Sequence, residues 1–272
     1  MLSDITIGQF FPGRSVLHRI DPRMKLIITL VYIVSVFLAG TLLSVCCVFA
    51  FSLLVAVLGR VPLKTVIRSL KPLRFIIFFT SILNLFWTKG DNLLCSLWVL
   101  EIYSEGVEKA IFIIVRIVSL LIGSTVLISY TTSPIALTDG LEQLLSPLKK
   151  IKVPVHDFAM MMTIALRFIP TLIEETDKIM SAQKARGTDF SSGSLISRAK
   201  ALIPIFIPLF LSCIRRADEL AIAMECRCYN GGKGKTRMNV LRYGARDFIA
   251  LGIFILAGAA ILMINRIPLF LW

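Results

Sequence analysis

The sequence predicts an all-α membrane protein, with about five transmembrane helices and a cytoplasmic arm of one short and two long helices. Three observations predict it. The chain is 56% hydrophobic with a mean hydropathy of +0.81, more apolar than a fully water-facing surface allows. Its 30 Lys and Arg outnumber 17 Asp and Glu, and the excess gathers beside apolar runs, as it does in cytoplasmic loops. Between Thr131 and Asp247, more than a hundred residues carry over half of that basic charge, yet apolar residues recur there at helical spacing. Nucleic-acid binders are also basic, but long apolar runs do not interrupt their charge, so no nucleic acid partner is expected.

Residues 1–25 hold Asp4, Arg14, Arg19, Asp21, Arg23 and Lys25 without an apolar stretch, so no cleavable signal peptide is expected. The first apolar block, Leu26 to Gly59, is too long for one span of about 20 residues and short for two. Arg14, Arg19, Arg23 and Lys25 precede it, and Arg60, Lys64, Arg68, Lys71 and Arg74 follow. Both ends are therefore cytoplasmic, and the block is a hairpin of two short helices turning at Gly40-Thr41. Residues 61–71 read as an interfacial helix, with Leu63, Ile67 and Leu70 on one side and Lys64, Arg68 and Lys71 on another. Phe75 to Trp87 extends the stretch begun at Leu73 into a third span. Lys89 to Glu108, with Asp91, Glu101, Glu105 and Glu108, reads as an outer loop. Ala110 to Tyr130 is a fourth span, and Phe248 to Ile264 a fifth that leaves Trp272 outside.

Arg116 is charged well inside a span, where an arginine either serves function or snorkels and bonds a neighbouring carbonyl. The chain thus reads as a multi-pass protein of the cell membrane with a cytoplasmic N-terminus. Residues 1–130 form a membrane domain of four spans, 131–246 the cytoplasmic arm, and 247–272 the C-terminal transmembrane helix. The six cysteines suggest no disulfide framework. Cys46 and Cys47 lie in an apolar run, and Cys226 and Cys228 in a segment assigned to the reducing cytosol.

Within the arm, Ser133-Pro134 is an N-cap followed by a proline at the first helical position. The short helix it opens carries Leu137, Leu141, Leu144 and Leu145, ends near Pro147, and leads into the basic linker Lys149-Lys150-Ile151-Lys152. The second helix starts after Pro154 and runs to about Arg186, with Phe158, Met161, Met162, Ala165, Phe168, Ile169 and Leu172 on one face. The third runs from about Ser197 to Arg227, with Ile203, Phe206, Ile207, Phe210 and Ile214 on one face, and Pro204 and Pro208 kink its first half. Glu174 with Lys178, and Arg215 with Glu219, are spaced as favourable i,i+4 pairs.

Both long helices end alike. One closes Ala182-Gln183-Lys184-Ala185-Arg186-Gly187, the other Glu225-Cys226-Arg227-Cys228-Tyr229-Asn230-Gly231. A cation beside the negative end of a helix is ordinary capping. Two matched ends point further, because an arginine with small neighbours can reach into a groove and pair bidentately with a carboxylate.

Here the chain resembles the transmembrane T component of energy-coupling factor transporters, micronutrient importers of prokaryotes. The resemblance rests on Leu17-His18-Arg19-Ile20-Asp21-Pro22-Arg23, Ala165-Leu166-Arg167-Phe168-Ile169-Pro170 and Ala182-Gln183-Lys184-Ala185-Arg186-Gly187. It continues through Arg216-Ala217-Asp218-Glu219-Leu220-Ala221 and Ala223-Met224-Glu225, and so covers nearly the whole chain. It implies that Ala185, Arg186 and Gly187 at one coupling-helix tip, and Cys226, Arg227 and Cys228 at the other, dock onto two ATPase subunits of the ATP-binding-cassette (ABC) type. It also implies one membrane-embedded substrate-binding S component, held by the remaining arm surface and the membrane helices. Met161, Phe168, Phe206 and Phe210 are expected in that seat, because the arm has more apolar surface than two crossing helices can cover. The second tip departs from the family's Ala-Arg-Gly: cysteines replace its alanine and glycine.

On this reading the chain is a non-catalytic subunit that binds no cofactor, ATP being held by the partner ATPases. Gly234-Lys235-Thr236 imitates the end of a phosphate-binding loop, but Tyr229 stands where the pattern needs its first glycine. A lone Cys226-x-Cys228 has no second pair to make a metal site. One rival is a membrane-embedded lipid-modifying enzyme, which needs clustered carboxylates or histidines, whereas His18 and His156 lie far apart. Another is a permease with its own substrate pathway, which needs ionisable groups facing one another within spans.

Overall fold

The computed structural model describes residues 11, 13, 15–88, 93–97, 100–188, 190, 194–231 and 241–266. The described chain is helical throughout apart from one small hairpin, and it divides into two compact units. The first is Gly8–Leu144 with Leu241–Trp272; the second is built on Leu145–Val240.

In the first unit, α1 (Pro22–Leu38) and α2 (Leu42–Leu58) form the expected hairpin around Gly40-Thr41. Asp21 caps α1 by accepting from the Arg23 amide at 2.9 Å, and proline follows at the first helical position. Thr41 and Ser44 bond each other's amides at 3.2 and 3.1 Å, a capping box that starts α2. A short amphipathic α3 (Leu63–Leu70) leads through a 3₁₀ turn into α4 (Arg74–Trp87).

The next segment corrects the sequence reading. The outer-loop region contains antiparallel strands β1 (Leu93–Leu97) and β2 (Leu100–Tyr103), and α5 (Ser104–Ser124) begins at Ser104 rather than near Ala110. Glu105 and Glu108 are thus helical, and Glu105 lies in the first turn, where the positive helix end favours a carboxylate. Acidic charge marked the segment correctly as polar, but it also marks a helix start.

A π-helical turn (Thr125–Tyr130) extends α5 to a span-length helix of 27 residues. Next, α6 (Pro134–Leu144) is capped by Ser133, whose Oγ accepts from the Ala136 amide at 3.2 Å. Although the sequence reading grouped α6 with the arm, it packs on α1 in the first unit. The last helix of this unit is α9 (Ala245–Asn265).

The core of this unit is centred on α1, where Met24, Ile28, Tyr32 and Val36 form a buried stripe at four-residue intervals that Ile20 continues just before the helix. Against it pack Val45, Val48 and Val55 of α2, Ile122, Val126, Leu127 and Tyr130 from α5 and its extension, and Phe254 and Ile261 of α9. Lipid is as apolar as these side chains, so close packing and hydrogen bonds must hold the helices together. Tyr32 shows both: its hydroxyl donates to the Ser119 carbonyl at 2.7 Å, and its ring fills the space that a Cβ on Gly123 would need.

In the second unit, a 3₁₀ turn (Ser146–Ile151) precedes α7 (Val155–Ala185), and α8 (Leu195–Cys226) packs against α7. Both fall within two residues of their expected bounds, and α8 stays helical through Pro204 and Pro208. Among the described residues, three helices are long and apolar enough to cross a membrane: Ser104–Tyr130, Val155–Ala185 and Ala245–Asn265. Trp272 and the Gly234-Lys235-Thr236 sequence lie outside the described residues.

Candidate functional site at the helix ends

The two long helices terminate in the same hydrogen-bonded motif. At the end of α7, the Gly187 amide donates to the Lys184 carbonyl at 2.9 Å, and the Thr188 amide to Gln183 at 3.0 Å. At the end of α8, the Cys228 amide donates to Glu225 at 2.8 Å, and the Tyr229 amide to Met224 at 3.0 Å. Each is the paired 5→2 and 6→1 closure of a Schellman turn, in which one residue adopts a left-handed backbone. Gly187 takes that position in one turn and Cys228 in the other.

Arg186 and Arg227 therefore occupy the same capping position, each one residue before the left-handed turn. Both are exposed, as are Ala185, Gly187, Cys226 and Cys228. An exposed guanidinium at the negative end of a rigid helix, with small neighbours, suits a carboxylate-lined groove.

On the flanks of α7 and α8, Met161 is 58% exposed, Phe206 66% and Phe210 54%, while Phe168 is half-buried. Phe206 and Phe210 stack on each other, their centroids 6.1 Å apart. The pair Arg216–Glu175, at 3.3 Å, ties the two helices across their faces. Sequence spacing pointed only to pairs within each helix, because a partner on another helix has no periodic signature.

A second group of functional candidates escaped the sequence reading. At the start of α1, Asp21, Arg23 and Lys25 are buried together with Asp247 of α9. Arg23 pairs with Asp21 at 3.3 Å, donates to the Leu241 carbonyl at 2.7 Å and lies 4.2 Å over the Tyr243 ring. Lys25 donates to the Thr131 carbonyl at 2.7 Å and to Thr132 Oγ1 at 3.1 Å. Asp247 accepts from the Asp21 amide at 2.9 Å and from the Gly244 amide at 2.8 Å. The available signal was the density of charge in Asp21-Pro22-Arg23-Met24-Lys25 immediately before an apolar run.

At the opposite end of α1, the turn into α2 is also held from outside. The Asn265 side chain accepts from the Gly40 amide at 3.1 Å and donates to the Leu38 carbonyl at 2.6 Å. Arg116 reaches the Ala39 carbonyl and lies 4.3 Å over the Phe112 ring. Of the two roles the sequence left open for Arg116, carbonyl bonding is the one seen.

Comparison with known proteins agrees with this architecture. Residues 13–238 match the family model CbiQ, described as a cobalt transport protein. A Ruminiclostridium cellulolyticum protein named energy-coupling factor transporter transmembrane protein EcfT is 51% identical over 253 residues, 93% of this chain and 94% of that one. Proteins of the same name from Clostridium kluyveri and Bacillus subtilis are 51% and 45% identical, over 92% and 91% of this chain and 93% of each relative. The chain is accordingly a membrane transport component, and it belongs to the EcfT family of energy-coupling factor transporter transmembrane proteins.

Proposed function

We propose that this chain is the energy-coupling subunit of an importer for a vitamin or another micronutrient. It transmits motion from two ABC-type ATPase subunits to one membrane-embedded S component. Arg186 and Arg227, with their small neighbours, are the docking tips, one for each ATPase. The S component rests on the apolar face that includes Met161, Phe168, Phe206 and Phe210. When the ATPase pair closes, the tips move with it, and α7 and α8 carry the displacement to the S component, which reorients and releases substrate. The chain performs no catalysis and holds no cofactor of its own in this scheme; ATP stays with the partners.

The observation that carries this reading is the matched geometry of the tips: two helices of one unit present an exposed arginine at the same capping position. A single capped helix would need no explanation beyond its own stability. The basic flanks support a five-span arrangement through α1, α2, α4, α5 and α9, with the N-terminus and arm cytoplasmic. Length and hydropathy would also allow α7 to span, but its second half carries Glu174, Glu175, Asp177, Lys178 and Lys184, which favours the cytoplasmic arm.

Affinity purification of the tagged chain from its native membrane, with mass spectrometry of what accompanies it, tests the assignment. Two ATPase subunits and a small hydrophobic protein are expected. Recovery of the chain without ATPases, still supporting uptake, would overturn it.

A further inference from the structure

We propose that the first turn of α1, Asp21 to Lys25, is the mechanical joint of the first unit, holding both chain segments that connect it to the second. The chain leaves the first unit through Thr131, Thr132 and α6, and it returns at Leu241. Lys25 grips the departing segment at the Thr131 carbonyl and Thr132 Oγ1. The same turn abuts α6, where a Cβ on Gly140 would stand 3.1 Å from Pro22 Cβ and 3.2 Å from the Arg23 amide nitrogen. Arg23 grips the returning segment at the Leu241 carbonyl and the Tyr243 ring, and Asp247 ties the start of α9 to the Asp21 amide.

Two features make this more than a packing contact. Asp21 and Asp247 balance Arg23 and Lys25, so the cluster is buried without net charge, and each carboxylate also accepts backbone donors. Apolar residues of similar volume often stabilise a fold as well as a buried ionic cluster does, whereas ionic groups can impose one geometry. In addition, Arg23 and Lys25 bind main-chain carbonyls of the connecting segments, which fixes backbone position rather than a movable side chain. Displacement arriving along either segment must then act on α1.

The proposal rests on the coupling role proposed above, and its test separates the two. The complete transporter, purified with its ATPases, is compared with and without ATP plus orthovanadate by hydrogen exchange, for the wild type, Arg23→Lys and Tyr243→Leu. Lysine keeps the charge but loses the rigid planar fork that meets Asp21 and the Leu241 carbonyl along separate N–H directions, and the flat face that stacks on Tyr243. Tyr243 is half exposed, so its replacement spares the core even if Arg23→Lys folds poorly. In the wild type, trapping should alter exchange both at the tips, 183–188 and 224–229, and at 134–144 and 241–247. In the variants the tip response should persist while the response at 134–144 and 241–247 falls about fivefold. An unchanged response at those two segments would overturn the joint, as would a variant that merely loosens the whole first unit without nucleotide. Wild-type tips unprotected by ATPases would instead sink the coupling role.

Discussion

Cys228 holds at the end of α8 the left-handed backbone position that Gly187 holds at the end of α7, with φ of +56° and +89°. The Cβ of an L-residue makes that conformation costly, by about 1–2 kcal/mol. Two closing hydrogen bonds retain it in α8 nonetheless. Cys228→Gly should therefore tighten the turn by about 1 kcal/mol, and slow exchange of the Tyr229 amide about fivefold. Gly187→Ala should have the opposite sign at the Thr188 amide, since nothing lies near the added methyl to compensate. Unchanged exchange in both variants would show that the turn stores no strain.

Reversing the charge at either tip should weaken ATPase docking. For Arg186→Glu or Arg227→Glu, losing a charge-assisted pair and adding repulsion should cost about 2–5 kcal/mol in the docked state. Co-purification of the ATPases measures it, and normal recovery with both variants would remove the tips from the mechanism.

The exposed aromatic pair on α8 should matter to a different partner. Phe206→Ser and Phe210→Ser are expected to release the S component while the ATPases remain bound, because the tips lie at the far end of the helix. Joint loss of both partners would mean that the residues pack the arm. Retention of both would move the seat to the membrane helices.

Cysteine labelling of intact cells checks the orientation, in a background without the native cysteines. Leu42→Cys, beside the α1–α2 turn, should react with an impermeant maleimide, and Arg68→Cys on α3 only after permeabilisation. The reverse order would invert the topology.

Asn265→Ala removes the acceptor for the Gly40 amide and the donor to the Leu38 carbonyl. The loss should be about 1–2 kcal/mol, read as lower thermal stability of the detergent-solubilised protein, with faster exchange at Gly40.

Much of this architecture was legible because it is local or periodic. The turn at Gly40-Thr41 followed from basic residues on both sides of one apolar block, and the bounds of α7 from Pro154 and Gly187. The start of α5 was misplaced because glutamates suit a polar loop and a helix N-terminus alike. Both tips could be located from sequence, but whether Cys228 would adopt a glycine's conformation depends on backbone hydrogen bonds that residue types do not encode. That the charges around Asp21 are buried together was not legible, for another reason. Their partners at Thr131, Leu241 and Asp247 are distant in the chain, and nothing periodic links them.

The contact between the Asp21 amide and Asp247 spans 226 residues of chain. A ribosome adds about 5–20 residues per second, so about 10–45 seconds separate the synthesis of the two partners. In the five-span arrangement proposed above, α1 enters the bilayer while the Asp21 amide and Arg23 still lack their distant partners. Closure of the first unit is thus a late, post-insertional event that waits for α9. A transcript truncated before Asp247 should yield a nascent chain that inserts its early helices but stays open to degradation.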